Sequence, residues 1–113
     1  MSSYLLQFRY TAGAAKGLIA RPDERRSDRA KEMVASLGGT LLGYWYALGE
    51  WDGMALVEAP GGSTAAAISM AIAGSGEVSR IETTVLMSMD EARDALHRAA
   101  SATHLPPGAR DDT

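Results

Sequence analysis

Residues 3–10 alternate in polarity, with Tyr4, Leu6, Phe8 and Tyr10 on one side and Leu5, Gln7 and Arg9 on the other. A period of two belongs to a strand with one face buried, so the chain opens on a half-buried strand. Thr11 supplies a hydroxyl suited to capping a short helical turn that runs to about Ala20. Pro22 fits the first turn of a longer helix, in which Ala30, Met33, Val34 and Leu37 recur at helical spacing before Gly38 and Gly39 end it. Residues 40–48 and 53–59 are apolar runs joined through Gly49-Glu50-Trp51-Asp52, a hairpin in which Asp52-Gly53 supplies residues that tolerate positive φ. Ser63 begins an alanine-rich helix to Ala73, stopped by Gly74 and Gly76. Alternation returns over residues 77–89, with Ile81, Thr83, Val85 and Met87 facing one way and Arg80, Glu82, Thr84 and Leu86 the other. Asp90 is placed to cap a last helix to about Ser101, whose Ala92, Ala95, Leu96 and Ala99 form a small apolar stripe for the body or a partner subunit.

The order β-α-β-β-α-β plus a C-terminal helix defines one α+β domain over residues 1–101, a ferredoxin-like sandwich. Right-handed crossovers put the first and third strands in the centre of a four-stranded antiparallel sheet of order 4-1-3-2. Both crossover helices then cover one sheet face, and the other must meet solvent, a ligand or a second copy. The tail, residues 102–113, contains Pro106-Pro107-Gly108 and too little apolar content to offset the entropy of ordering it, so disorder is expected there.

Composition narrows the partners. With 46% hydrophobic and 22% charged residues the chain reads as an ordinary globular domain. At 113 residues a single core removes about two-thirds of the unfolded surface from water, so covering a further face by self-association adds stability and a homo-oligomer is expected. A net charge of -3 gives no footprint for nucleic acid or anionic lipid. The aromatic cluster Tyr44, Trp45 and Tyr46 also lies on an edge strand, away from the central strands on which RNA-recognition sheets stack bases. Without cysteine there is no disulfide framework, thiolate nucleophile or thiolate metal site. The N-terminus lacks a secretory pattern, and the weakly polar run of residues 65–74 is about half a membrane span, so the protein reads as cytoplasmic. Arginine outnumbers lysine nine to two, the mark of a GC-rich bacterial genome.

The chemistry-bearing residues form two groups. Residues 44–52 hold four of the seven aromatic side chains together with Asp52. Tyr44, Tyr46 and Trp51 can stack on a ligand or serve as packing anchors with a polar end. Asp52 can act as acid, base or ligand anchor, or accept backbone N–H bonds as a turn residue. The second group lies on the face away from the helices: Arg9 on the first strand, Glu58 on the third, and Arg80 and Glu82 on the fourth. Charges on central strands imply either an inter-subunit ion-pair network or the polar end of an aromatic chamber. Asp52 and Glu82 are the carboxylates available for catalysis, although no catalytic signature surrounds them. His97 and His104 have no companion at His-x-x-x-His spacing, so no metal site is expected. Gly13, Gly17 and Gly61-Gly62 lack the flanks of a nucleotide loop, so no cofactor is expected. The helix around Arg21, Arg25, Arg26, Arg29 and Lys31 is interleaved with acids, as a solvated face would be.

Over about residues 3–89 the chain resembles the GYD domain family, small bacterial proteins named for a Gly-x-Tyr-Asp signature after the second strand. The matching stations are Thr11, Pro22, Leu37-Gly38-Gly39, Gly49-Glu50-Trp51-Asp52 and Val57-Glu58-Ala59-Pro60. Trp51 stands where the family's tyrosine is usual, which preserves stacking but removes a phenolic hydroxyl. The resemblance implies membership of the wider dimeric α+β barrel group, in which two sheets face each other across a chamber, and implies no settled reaction. Two functions follow as expectations. One is a homo-oligomer binding a small apolar or aromatic compound in a chamber lined by the exposed sheet face and the 44–52 hairpin, with cofactor-independent catalysis as its extension. The other is a structural or interaction module whose open sheet face serves only self-association. Both require assembly, so light scattering is expected to return at least twice the chain mass; a monomer at micromolar concentration would remove both.

Overall fold

The structure, a computed structural model, describes residues 1–103. Its elements in order are β1 (Ser2–Tyr10), α1 (Ala12–Ala20), α2 (Arg26–Ser36), β2 (Thr40–Tyr46), β3 (Gly53–Ala59), α3 (Gly62–Gly74), β4 (Val78–Leu86) and α4 (Met89–Ala100). The strands form one antiparallel sheet of order β2-β3-β1-β4, the expected order read from the opposite edge. The fold is therefore α+β, with an open four-stranded sheet and four helices among the described residues.

β1 organises the sheet because its alternation serves two layers at once. Tyr4, Leu6 and Phe8 are buried beneath the helices, and Ala55, Val57 and Ala59 of β3 alternate into the same layer. Val34 from α2 and Ala65 and Ile68 from α3 close it. Leu6, Val34, Val57 and Ile68 are each at most 2% exposed, and burying side chains of that size stabilises the fold by about 1.5–3 kcal/mol apiece. On the opposite face Leu5, Gln7, Met54, Leu56 and Glu58 are only half-buried and Arg9 is exposed. Among the described residues no helix covers this second face.

Local chemistry sets the element ends, in three places differently from the sequence reading. Thr11 caps α1 as expected, its hydroxyl accepting from the Ala14 N–H at 3.1 Å. Pro22, however, lies in the link between α1 and α2, and α2 begins only at Arg26. A residue before proline is pushed out of helical conformation, and Arg21 indeed closes α1 at φ -131°, ψ 63°. The cap of α4 is Ser88, not Asp90: the Ser88 hydroxyl accepts from the Glu91 N–H at 3.1 Å, and Ser88-x-x-Glu91 has the sequence pattern of a capping box. In the hairpin the positive φ falls on Gly49, at 141°, while Asp52 and Gly53 stay in the ordinary region. Asp52 is already held by β1 and Gly53 by the ladder, which leaves the reversal to Gly49.

In α4 only Ala92 is half-buried and Leu96 is 71% exposed, so the helix has scant packing on the chain's own body. Among the described residues no helix is long and apolar enough to cross a membrane. The expectation of tail disorder falls, from residue 104 onward, outside the described residues.

Gly53 tests the close contact between β3 and the aromatic side of β1. A Cβ there would stand 2.6 Å from Phe8 Cε2 and 3.1 Å from the Tyr10 hydroxyl. Gly53→Ala is expected to lose about 1–3 kcal/mol through overpacking, read as a lower urea midpoint at unchanged m-value.

Candidate functional site

A cavity of about 200 Å³ lies between the sheet and the helix pair α2 and α3. Small residues create it: Ala55 on the floor, Ala30 on α2 and Ala71 on α3 leave room where larger side chains would meet. Its floor is the buried side of β1 and β3, and Met33, Val34, Ile68 and Ile72 form apolar walls. The polar lining is Tyr10 at the end of β1, Tyr44 on β2, Arg26 and Arg29 on α2, and Ser75 and Glu77 before β4; the Tyr10–Tyr44 bond, the Thr11 N–H to Glu77 carbonyl bond and the Arg26–Glu77 pair bring Tyr10, Tyr44, Arg26 and Glu77 to one end.

The Tyr10 and Tyr44 hydroxyls are 2.9 Å apart. Burial raises the pKa of Tyr10 well above the ordinary tyrosine value, and the bond to Tyr44 acts in the same direction. Burial also raises the pKa of Tyr44, outweighing the bond from Tyr10, which pulls the other way. Both phenols are therefore neutral at physiological pH, and whichever hydroxyl donates, one O–H remains for a third group. Phe8 buttresses the pair, its ring centroid 5.6 Å from that of Tyr10 and 5.8 Å from that of Tyr44. Arg26 Nη1 lies 3.2 Å from Glu77 Oε1, with the arginine side chain 16% exposed and the glutamate 52%. The site thus joins an apolar body to an end rich in hydrogen-bond donors.

The residues expected from sequence divide between the two sheet faces. Tyr44 lines the cavity, and Tyr46 stands beside it on the helix side with its ring 5.9 Å from Tyr44 and 6.4 Å from Tyr10. Arg9, Glu58, Arg80 and Glu82 lie on the open face: Arg9 pairs with Arg80 across β1 and β4, Glu82 with Gln7, and Glu58 with Ser3 and Thr40. The Arg80 guanidinium sits 4.8 Å from the Trp51 ring centroid and 3.6 Å from Glu50, which offsets its like-charge neighbour Arg9. Asp52 ties the hairpin to β1. Its carboxylate accepts from the Tyr10 N–H at 2.9 Å, and its own N–H donates to the Phe8 carbonyl at 2.9 Å. The side chain thereby extends the β1–β3 ladder by one bond.

Tyr10, Arg26 and Glu77 escaped the sequence reading. Two of them carried a signal. Tyr10 ends the buried side of the first strand with a hydroxyl, and Arg26 continues the apolar α2 stripe of Ala30, Met33, Val34 and Leu37 one turn earlier. A cation in line with an apolar stripe is not part of a solvated face. Glu77 had no such signal, because its approach to Arg26 depends on the packing of two distant segments. Among the described residues no group of three or more His, Cys, Asp or Glu side chains could hold a metal ion.

The antiparallel sheet with helices on one face and a pocket between the layers defines a small α+β sandwich. The profile of the GYD domain matches residues 4–96, and the chain belongs to that family. No curated protein matches the sequence. Among solved structures the chain is similar to FFRP-DM1, at TM-score 0.53 and 15% identity over 77% of this chain and 100% of that one. It is also similar to TTHA0845 from Thermus thermophilus, at TM-score 0.52 and 18% identity over 78% of this chain and 95% of that one. A NIPSNAP domain protein from Burkholderia xenovorans aligns at TM-score 0.44 and 19% identity over 78% and 94% of the respective chains. Likeness at such identities concerns the fold.

The raised phenol pKa values imply a pH dependence of stability. A group whose folded pKa lies above its unfolded value stabilises fully below the unfolded value, about 10 for tyrosine. That contribution is lost as pH rises through the folded value. Thermal melts at about pH 8 and about pH 11 are expected to show a smaller alkaline loss for the double variant Tyr10→Phe/Tyr44→Phe than for the wild type.

Proposed function

We propose that the chain binds a small apolar or aromatic molecule in the cavity between α2, α3 and the sheet, as a subunit of a homo-oligomer in the bacterial cytoplasm. The observation that carries this reading is the cavity itself: an apolar space of about 200 Å³ with Tyr10, Tyr44, Arg26 and Glu77 converging at one end. Apolar walls with a few convergent polar groups are the usual composition of a small-molecule site.

Assembly through the open sheet face, in the manner of an α+β barrel, accompanies the proposal. The face offers half-buried Leu5, Met54 and Leu56 beside half-exposed Trp45, ringed by Arg9, Glu58, Arg80 and Glu82. An apolar centre with a charged rim suits an interface. In this reading Tyr44 is the ligand contact among the residues expected from sequence, and the charged strand residues serve the contact between subunits. The other reading, a module with no ligand, keeps the interface and leaves the cavity without a role.

Two variants separate these readings, with toluene as probe. At about ten times its Kd a ligand stabilises by about 1.4 kcal/mol, which appears as a raised melting temperature of the wild type. Ala30→Phe, which directs a ring from α2 into the cavity, is expected to abolish that rise while leaving the oligomer intact. Leu56→Glu, on the opposite face, is expected to shift the oligomer toward monomer and leave the toluene effect in place. An unchanged toluene effect in Ala30→Phe overturns the ligand reading.

A further inference from the structure

We infer that the cavity takes a small carboxylate with a one-ring or short branched apolar body, and that this ligand displaces Glu77 from Arg26 on entry. The inference rests on the cavity being a ligand site and adds the class of ligand.

Size sets the body. A dry apolar cavity of about 150 Å³ is enough to hold benzene, so about 200 Å³ accommodates one ring and a small substituent. Charge sets the head group. Arg26 is the most enclosed cation of the ion pairs among the described residues, at 16% side-chain exposure, and a guanidinium held in that position needs an anion. Glu77, its present partner, is 52% exposed, and its main chain is anchored independently of its carboxylate. The Glu77 carbonyl accepts from the Thr11 N–H at 2.9 Å, and the Glu77 N–H donates to the Ser75 hydroxyl at 3.2 Å. The glutamate side chain can therefore rotate into water while its main chain stays in place. Arg26 has no such freedom, because its side chain lines the cavity wall beside Gly17.

A carboxylate has two oxygens, and the polar end offers two kinds of donor: the Arg26 guanidinium and the O–H left over from the Tyr10–Tyr44 pair. Arg26, Tyr10 and Tyr44 line the same cavity. An ammonium ligand would have only Glu77 to meet and would bring a second cation toward Arg26. An anion bonded to a guanidinium and a phenol receives charge-assisted bonds on both oxygens. Glu77 thus holds the place of the ligand's head group.

Calorimetry on the full chain with phenylacetate and its uncharged isostere phenylacetamide tests this. The wild type is expected to bind phenylacetate about tenfold more tightly, the difference made by one charged hydrogen bond. Glu77→Gln, an exposed substitution, is expected to tighten phenylacetate binding and leave phenylacetamide unchanged. Arg26→Gln is expected to remove the preference while phenylacetamide still binds, with circular dichroism reporting that the helices persist. Equal binding of the two probes by the wild type overturns the inference and leaves the cavity reading standing, as does weaker phenylacetate binding by Glu77→Gln. If neither probe binds, the inference is overturned, and the cavity reading survives only where toluene still acts in an Ala30-dependent way.

Discussion

The two-sided use of β1 is the constraint on which the rest of the structure depends. It is bonded to β3 on one edge and β4 on the other, so every side chain it carries must serve one of two layers. Tyr4, Leu6 and Phe8 anchor the core under α2 and α3, and the same alternation sends Leu5, Gln7 and Arg9 to the opposite face. Because side chains alternate strictly, a one-residue slip of β1 would exchange the two sets and place an arginine in the core. The register is therefore held by the hydrophobic effect on one side of one strand. The cavity inherits its floor from the same residues.

Where the aromatic side of β1 ends, core becomes site. Tyr10 occupies the next inward position after Phe8, but its hydroxyl needs a partner and finds Tyr44 across β3. The backbone at this point is secured from the other direction, since the Asp52 carboxylate accepts the Tyr10 N–H that has no acceptor on the β3 backbone. Asp52 thus acts on the cavity without entering it, fixing the strand end from which Tyr10 projects. Alanines at positions 30, 55 and 71 then keep the space above the floor open. Among the described residues no buried side-chain nitrogen or oxygen lacks a hydrogen-bond partner.

The open face follows a different logic. Trp45 lies across Gly43 on β2, where any side chain would collide with its indole, so a glycine and a large aromatic share one patch of edge-strand surface. Trp51 reaches the same side from the hairpin and lies beside Arg80, whose direct cross-strand neighbour is Arg9. Like charges opposite each other weaken a sheet, and here a ring and the Glu50 carboxylate compensate one of them. Together these features form a surface with an apolar centre and managed charges, distinct in chemistry from the cavity on the far side of the sheet.

The sequence by itself determined the elements, their order, the sheet order and which residues of the first and last strands share a face. Each of these rests on local periodicity: two in the strands, 3.6 in the helices, with short connections and handed crossovers selecting one topology. It also held the signature of the family and the capping-box pattern at Ser88, although the neighbouring Asp90 was the more obvious acid. What it did not contain was the depth of the site. Tyr44 and Trp51 are near neighbours in the chain, yet one belongs to the cavity and the other to the open face, because β2 alternates and the hairpin folds over the sheet. Arg26 and Glu77 are 51 positions apart and meet at 3.2 Å only because the fold brings the first turn of α2 beside the start of β4. Periodicity says which side of an element a residue occupies. Only the packing of those elements decides which sides enclose a space and which charges meet at its mouth.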